Sequence, residues 1–390
     1  MKRSRRRHEL DAGRRTRNFA NAFVLAFVYL QSEDNTKLLL WKKTGNCEWT
    51  GVFANRVWTL SQNNEYILYR VTNCPALETT EKLKSTKKSS SGVHSAGRVK
   101  GMPKKTPTCE VADVEINRNG DVFTKHDECL SEDDLLRKYF RLDVSLEEHY
   151  AQWSKKDPHF KKAAKKFTGV RILSQNPVET LFSFICSSNN NIARISSMVE
   201  KLCILYGNKI ADFDGTVYYD FPPLTALTDP SVEKSLRDAG FGYRAKFIYQ
   251  SACKIMQLGG SDWLQHLQSL SYEEAKMELK KLPGIGAKVA DCICLMSLGH
   301  LEAIPVDTHI YQVAVQRYLP HLRGRKVVTD KIYNEIGSHF RSLYGSLAGW
   351  AHTILFCADL KMFQDDPVKR KLGIKDIETS RKRRKLKQEL

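Results

Sequence analysis

Two residues of this 390-residue chain could together break a bond at a sugar carbon: Lys288 and Asp307. Lys288 stands at the start of a strongly apolar helix, one turn before Cys292. Burial and the positive end of a helix dipole both disfavour the ammonium form, and an amine must be neutral to attack as a nucleophile. Asp307 stands where a helix N-cap belongs, and a carboxylate there could transfer a proton or stabilise a cation. A plain phosphate-binding lysine and a plain capping aspartate remain the alternatives.

A tight turn precedes the lysine. The segment Leu282-Pro-Gly-Ile-Gly286 follows a predicted helix over Tyr272–Lys281 and opens the next helix, so we place a hairpin at about 272–298. Gly284 and Gly286 permit a sharp bend that leaves backbone N–H groups free at a helix N-terminus, where they can hold a phosphate. This is how a helix-hairpin-helix grips a nucleic-acid backbone without reading bases.

The rest of the chain predicts an α+β fold that positions this hairpin. Residues 21–150 are predicted to form an antiparallel sheet domain, with strand-like runs between Lys37 and Tyr69 and a disordered insertion at about 71–127 that is rich in Lys, Ser, Gly and Pro. Ser131 opens the first of a series of helices, which predicts a helical region over 151–362. Basic tails are expected at 1–20 and 363–390.

Charge and cysteine content limit the classes of function. The net charge is +18, and segments 1–17, 82–105 and 369–390 carry +6, +8 and +7, which leaves −3 for everything else. A polyanionic partner is expected, held by the flexible segments without sequence preference. Ten cysteines without a CxxC pair exclude a disulfide scaffold and an ordinary zinc ribbon, and no apolar run approaches the ~18 residues of a membrane helix.

Both ends carry features typical of targeting segments. The basic N-terminus precedes the apolar run 22–30, which we interpret as a buried strand because no cleavage pattern follows; a mitochondrial presequence is the alternative. The cluster 381–385 is typical of nuclear import, with a solvated basic tail as its alternative. A nuclear location is therefore predicted, with a mitochondrial share left open.

Several motifs in one order resemble a known family. The stretches 282–291 and 305–309 resemble the hairpin-plus-Asp signature of the helix-hairpin-helix DNA glycosylases. Three further stretches, 182–194, 242–245 and 289–296, resemble the eukaryotic 8-oxoguanine DNA glycosylases. The resemblance covers about residues 49–360 without the insertion.

The resemblance implies a bifunctional glycosylase and lyase that acts on 8-oxoguanine paired with cytosine in double-stranded DNA. Lys288 would attack C1′ of an extruded nucleotide and form a Schiff base, after which β-elimination cleaves the strand; Asp307 would stabilise the oxocarbenium charge. Tyr243 would wedge into the base stack. The other residues that the resemblance places on DNA are Asn189, Asn190, Arg194 and Arg244. The hairpin glycines, Gly284 and Gly286, are expected to hold a phosphate, and His309 could reach one as well, with an ordinary half-buried histidine as its alternative.

The resemblance also implies a pocket for the damaged base. The carbonyl of Gly51 would accept the hydrogen that oxidation places on N7, and Cys292 and Phe356 would sandwich the ring; a turn glycine and two core residues are the alternatives. Where the family has a glutamine, this chain has His352, which offers only one donor and one acceptor. Discrimination is therefore expected to depend on pH near 6.5.

Other classes fit less well. Glycosylases with an iron–sulfur cluster need four close cysteines after the catalytic domain, and only Cys357 lies beyond Cys294. Glycosylases for alkylated bases lack the nucleophilic lysine. A non-catalytic helix-hairpin-helix DNA-binding protein, or a related glycosylase with altered base preference, stays open, and an RNA-binding protein is a distant third. Neither a metal nor a cofactor is expected, and nothing in the sequence requires more than a monomer.

Overall fold

An antiparallel five-stranded sheet forms the N-terminal part of the computed structural model, which describes residues 8–11, 41–45, 48–62, 66–72, 130–325 and 327–359. Its strand order is β1-β5-β4-β3-β2. The strands are β1 His8–Asp11, β2 Trp41–Gly45, β3 Glu48–Phe53, β4 Arg56–Gln62 and β5 Tyr66–Thr72. The predicted antiparallel sheet is therefore present.

A two-residue turn fixes the register of the central strands. Ala54 and Asn55 both have positive φ, 48° and 54°, which is the backbone of a hairpin turn whose twist matches that of the strands. Phe53 consequently lies opposite Arg56, and Gly51 lies opposite Trp58. This pairing sets Gly51 within a strand, and not in a turn as the simplest interpretation of the sequence suggested.

The remainder is mostly helical, as predicted, so the fold is α+β. The described residues from 130 onward contain thirteen α-helices: α1 Glu132–Tyr139, α2 Leu146–Lys156, α3 Pro158–Ala164, α4 Pro177–Ser187, α5 Ile192–Tyr206, α6 Val232–Asp238, α7 Arg244–Leu258, α8 Ser261–Ser269, α9 Tyr272–Leu279, α10 Ala287–Ile293, α11 Thr308–Arg317, α12 Asp330–Tyr344 and α13 Ala348–Asp359. Short 3₁₀ turns lie at Leu224–Leu227, Pro320–Leu322 and Gly345–Leu347, and a π-helical turn, Cys294–Leu298, continues α10.

Local capping explains where several helices begin. Ser131 accepts a hydrogen bond from the Asp134 N–H at the start of α1. Asn176 accepts from two backbone N–H groups at the start of α4, where Pro177 occupies the first turn. Side-chain oxygens at these positions satisfy N–H groups that the helix leaves unpaired. Gly207 ends α5, as the sequence indicated.

Two elements differ from the prediction. β6 Lys209–Phe213 and β7 Thr216–Tyr219 form a second hairpin inside the region predicted to be helical. Asp214 and Gly215 have φ of 50° and 72°, so an Asp-Gly turn of the hairpin type closes it. In addition, β1 lies within the predicted basic tail 1–20, where its backbone pairs with β5.

Among the described residues, two hydrophobic cores and one smaller cluster hold the sheet and the helices together. The larger core is built mainly from the helices of residues 146–357, and the second joins the sheet to α1 through Trp58, Leu60, Leu136 and Tyr139. The smaller cluster joins the sheet to the hairpin of β6 and β7. Among the described residues no helix is long and apolar enough to cross a membrane. The apolar run 22–30, nearly all of the insertion 71–127 and the tail 363–390 lie outside the described residues.

Candidate active site

The hairpin between α9 and α10 makes the bend that the two glycines predicted, but only one glycine needs unusual backbone. Gly284 has φ +82°, and a Cβ built there would lie 2.8 Å from the ring of Phe247. Gly286, in contrast, has ordinary extended backbone, and nothing lies within 4 Å of a Cβ placed on it. Gly286 is the N-cap of α10 and supplies no capping side chain, so the first N–H groups of this helix are available to an anion.

Lys288 lies in the first turn of α10 and is half-buried. Its Nζ lies 5.1 Å from the ring centroid of Phe184, and its charge acts on the thiol of Cys292, one helical turn further along α10. Burial raises the pKa of the Cys292 thiol to about 11, although the Lys288 charge acts in the opposite direction, so the thiol is neutral at physiological pH. The lysine therefore lies in an apolar niche with a weakly polar sulfur beside it, and not in bulk water.

Asp307, the N-cap of α11, also acts electrostatically on the same thiol. Its Oδ1 accepts the Ile310 N–H at 2.8 Å, so the predicted N-cap is present. Its carboxylate also contributes to raising the pKa of Cys292, whereas Lys288 contributes to lowering it. The cation and the carboxylate that the sequence separated by nineteen residues thus both act on one buried sulfur.

Two of the predicted base-pocket residues, Cys292 and Phe356, are buried. Cys292 is fully buried, and Phe356 on α13 is 7% exposed. The exposed His309 sets its ring edge-on to Phe356, with the centroids 5.9 Å apart. Gly51 belongs to the sheet, in β3, where it pairs with Trp41 and Trp58.

His352 is the most unusual member of the predicted pocket. It is fully buried, its ring lies 6.2 Å from that of Phe340, and neither ring nitrogen makes a hydrogen bond. The carbonyls of Pro305 and Gly349 are nearby acceptors without hydrogen-bond geometry. Burial lowers the pKa of His352 to about 3. The expected pH dependence near 6.5 is therefore wrong for this fold, because the imidazole stays neutral far below that pH.

Two of the predicted DNA-binding residues, Tyr243 and Arg244, bind the loop between α4 and α5 that holds Asn189 and Asn190, whereas Gly284, Gly286 and His309 lie elsewhere. Arg244 is 3% exposed and donates to the Ser188 carbonyl through Nε at 3.1 Å and to the Asn189 carbonyl through Nη2 at 3.0 Å. Tyr243 donates its hydroxyl to the same Ser188 carbonyl at 3.1 Å and stays 45% exposed. Asn189 has φ 45°, so the loop turns sharply at the residue that Arg244 holds.

Two other predicted residues differ in where their side chains point. Arg194, in the first turn of α5, is exposed, and its Nη2 donates to the Gly240 carbonyl at 3.1 Å. Asn190 instead directs its amide inward, to the Cys186 carbonyl at 2.9 Å, and so ties the loop to α4. Asn189, Arg194 and Tyr243 are therefore exposed, whereas Arg244 is buried and holds the loop from within.

Two features of the site were not among the residues predicted from the sequence. The ring of Phe184 packs against the Lys288 side chain. The sequence could not identify this residue, because α4 is apolar on nearly every face and Phe184 is one of several large apolar residues in it. Asp291 is fully buried and bonded to Lys276, Tyr272 and Tyr333. An aspartate between the apolar residues Val289, Ala290 and Cys292 of α10 was the available signal, since a buried charge requires partners.

A bend that frees helix N–H groups, a lysine on the helix that follows it and an aspartate whose charge acts on the same buried thiol define a helix-hairpin-helix DNA glycosylase. The comparisons agree: residues 182–336 match the HhH-GPD superfamily base excision DNA repair protein model, and residues 30–181 match the N-terminal domain of 8-oxoguanine DNA glycosylase. The N-glycosylase/DNA lyase of Saccharomyces cerevisiae is 39% identical over 267 residues, a match spanning 61% of this chain and 70% of the yeast protein. The chain belongs to this N-glycosylase/DNA lyase family, which confirms the resemblance predicted from the motifs.

Other relatives support the same assignment. The N-glycosylase/DNA lyase OGG1 of Arabidopsis thaliana is 45% identical over 227 residues, and this match spans 58% of the chain and 61% of the plant protein, so the chain covers less than two thirds of that relative. Among solved structures, the apo-form of Clostridium acetobutylicum 8-oxoguanine glycosylase/lyase has 25% identity and a TM-score of 0.61, covering 86% of this chain and 93% of its own. MBOgg1 in complex with a low affinity DNA ligand has 25% identity and a TM-score of 0.62, covering 88% and 92%.

Proposed function

We propose that this protein is a bifunctional glycosylase and lyase that removes 8-oxoguanine paired with cytosine from double-stranded DNA. The observation that carries the proposal is the position of Lys288, which lies over Phe184 and against Cys292, with Asp307 acting on the same sulfur. A lysine that only contacts phosphate would gain from full solvation and would need no such niche. Family membership supports the same chemistry.

The proposed reaction begins when the damaged nucleotide leaves the duplex, because C1′ cannot be approached inside the base stack. The neutral amine of Lys288 forms a bond to C1′ while the bond from C1′ to the base breaks, and the electron pair leaves with the base, which takes up a proton. Asp307 stabilises the positive charge that develops on the sugar. The nitrogen loses a proton, and its lone pair then forms the C1′=N bond of the Schiff base as the C1′–O4′ bond breaks and O4′ takes up a proton.

The same imine makes strand cleavage easier. It acidifies the C2′ hydrogen, so a base can remove that proton while the C3′–O bond breaks and the 3′ phosphate departs by β-elimination. Water then hydrolyses the imine and returns Lys288 to its starting state. One lysine therefore serves both the glycosylase and the lyase step.

Cytosine opposite the lesion is the proposed partner of the loop between α4 and α5. Arg244 and Asn189 are held together by the Nη2 contact to the Asn189 carbonyl, and Arg194 lies in the first turn of α5, which follows the loop. Guanidinium and amide groups are suited to the acceptors and donors of an unpaired cytosine. Tyr243, which is 45% exposed, would enter the space that the extruded base leaves.

Recognition of the lesion would depend on a carbonyl. Oxidation turns N7 of guanine from an acceptor into a donor, so the Gly51 carbonyl would pair with the lesion and would face an acceptor in normal guanine. Cys292 and Phe356 would contact the two faces of the base. We further propose that the protein acts in the nucleus, on the basis of the basic cluster 381–385, with the mitochondrion as the alternative that the basic N-terminus offers. The proposed chemistry requires no more than a monomer.

Borohydride trapping on duplex DNA with a single 8-oxoguanine tests the proposal. The wild-type protein should become covalently joined to DNA, and Lys288→Gln should not. Lys281→Gln is the matched control, because Lys281 is an exposed lysine of the same hairpin that pairs with Glu278; at saturating DNA it should trap normally. Equal trapping by Lys288→Gln would remove the nucleophile from the proposal.

A further inference from the structure

A buried cluster of charged and hydroxyl groups lies directly behind the candidate active site. The carboxylate of Asp291 accepts a hydrogen bond from the Tyr272 hydroxyl at 2.7 Å, from the Lys276 ammonium at 3.0 Å and from the Tyr333 hydroxyl at 2.5 Å. Asp291 is fully buried, and the side chain of Lys276 is 10% exposed. The cluster joins α9, α10 and α12 around one carboxylate.

One hydroxyl of this cluster reaches a second catalytic element. The Tyr333 oxygen lies 3.2 Å from the backbone N–H of Val306, which donates to it. A tyrosine hydroxyl has a single proton, and its contact with Asp291 is the shortest it makes, so its proton goes to the carboxylate and its lone pair receives the amide. The bonds therefore run in one direction, from the Val306 amide through Tyr333 to Asp291.

The residues at the two ends of this series of hydrogen bonds are close in sequence to the two residues of the proposed chemistry. Val306 immediately precedes Asp307, and Asp291 follows Lys288 by three residues, close to one turn of α10. Hydrogen bonds are directional and short, whereas apolar contacts allow neighbouring elements to slide past each other. The cluster thus fixes the distance between α10 and the segment that carries Asp307.

Stability alone is a weak explanation for these groups. Burying an ion pair costs desolvation, and well-packed apolar residues of similar volume would hold the elements together at least as well. Burial raises the pKa of both Tyr272 and Tyr333, so both hydroxyls stay protonated donors throughout the working pH range. We propose that Tyr333, acting through Asp291, is a positioning residue that sets Asp307 relative to Lys288; this inference rests on the proposed function.

The test is the variant Tyr333→Phe, which keeps the ring and removes only the bridging oxygen. We expect the single-turnover excision rate at saturating 8-oxoguanine duplex to fall about tenfold or more, since small displacements of catalytic groups have large effects on rate. The dissociation constant for the same duplex should stay unchanged, because the loop between α4 and α5 is untouched. Rates are compared per active molecule at a temperature far below unfolding.

The same helix offers a matched control. Tyr344 is also buried on α12, and its hydroxyl donates to the buried carboxylate of Asp157. It lies eleven residues after Tyr333, about 16 Å along the helix axis. Tyr344→Phe therefore removes an equivalent bond to a buried carboxylate, and we expect a lower melting temperature with a wild-type excision rate.

Two outcomes overturn the inference while leaving the proposed function intact. If wild type traps on DNA and Tyr333→Phe excises as fast as Tyr344→Phe, the bridge does not position the chemistry. Amide exchange of the wild-type protein gives a measurement that needs no variant: Val306 should be strongly protected, and exchange at the rate of an unstructured amide would show that its bond to Tyr333 is not made. Failure of wild type to trap on DNA, by contrast, contradicts the proposed function itself.

Discussion

Asp307 combines a structural and a proposed chemical task in one side chain. Its Oδ1 caps α11 by accepting the Ile310 N–H at 2.8 Å, and this bond alone would account for an aspartate at the position. The sequence could predict the cap, because Asp before a helical run is a strong N-cap signal. It could not show that the charge of this carboxylate acts on Cys292, since the two residues belong to different helices.

Substituting Asp307 separates the two tasks. Asparagine is as good an N-cap as aspartate, so Asp307→Asn should melt at nearly the wild-type temperature and yet lose about 100-fold or more in single-turnover excision, because the charge is gone. Asp307→Ala should lose activity and about 1 kcal/mol of stability together. Thermal melts and excision assays on the two variants check this. An Asp307→Asn protein with wild-type rate would reduce Asp307 to a cap.

His352 makes a pH-dependent contribution to stability whose sign follows from its burial. Its pKa is 6.5 in the unfolded chain and about 3 in the fold, so the unfolded state binds more protons at intermediate pH. The contribution is complete above pH 6.5 and is lost as the pH falls toward 3. Between pH 7 and pH 5 the wild type should lose about 2 kcal/mol that His352→Gln does not lose.

Denaturant unfolding at a series of pH values measures this difference. His309→Gln is the control, because His309 is exposed and its replacement should leave the pH dependence of wild type unchanged. Parallel curves for wild type and His352→Gln would mean that the imidazole is not held neutral. Because the buried imidazole offers only one donor and one acceptor, we also expect His352→Gln to bind the damaged base more tightly.

At the scale of elements, substitutions of the two hairpin glycines are predicted to have different effects. Gly284→Ala places a Cβ at φ +82°, 2.8 Å from the Phe247 ring, and should cost about 1 to 3 kcal/mol of stability. Gly286→Ala meets no atom within 4 Å and should change stability by less than about 0.5 kcal/mol. Its methyl group would nevertheless stand beside the free N–H groups of α10, so DNA affinity should fall.

Thermal melts and DNA titrations on both variants distinguish these effects. A Gly286→Ala protein with full DNA affinity would show that phosphate does not approach this end of α10. Equal losses of stability in the two variants would contradict the backbone geometry of the hairpin. The sequence indicated both glycines as turn residues. Only the structure shows that Gly284 is needed for the backbone conformation of the turn and that Gly286 leaves room beside the N–H groups of α10.

Elements with strong local signals were predictable, and elements that depend on distant contacts were not. The capping residues of α1 and α4 act within four residues, so the sequence displays them. The hairpin of β6 and β7 had a local signal as well, in Asp214-Gly215, which the helical periodicity on either side obscured. Burial of Arg244 had no such signal, because its partners at Ser188 and Asn189 are fifty-five residues away or more.

At the scale of the whole molecule, the sheet and the helical region meet through contacts that no local pattern displays. Val52 and Val57 of the sheet pack on Ile210, Ala211 and Tyr218 of the second hairpin. At one edge, Lys42 donates to the Glu200 carboxylate of α5 at 2.6 Å. These contacts position β3, and with it Gly51, relative to the helices that carry the candidate site. Residues of both cores could be assigned from hydrophobicity, but the pairing of the two parts could not.

Charge is also distributed over the whole molecule, and it leads to a prediction about the C-terminal residues. Segment 369–390 holds ten basic and three acidic side chains and so carries a net charge of +7. The chain outside its three basic segments carries a net charge of −3. When such cations neutralise phosphates they release counterions, so they add affinity that falls with salt and carry no information about the base. Deleting 369–390 should therefore reduce the slope of log Kd against log salt, by about 0.9 for each phosphate that the tail neutralises. The ratio of excision rates for 8-oxoguanine and guanine should stay constant, because it is set in the pocket. A tail of scrambled sequence and equal charge is the control and should restore the slope; a change in the excision ratio on deletion would show that the tail takes part in recognition.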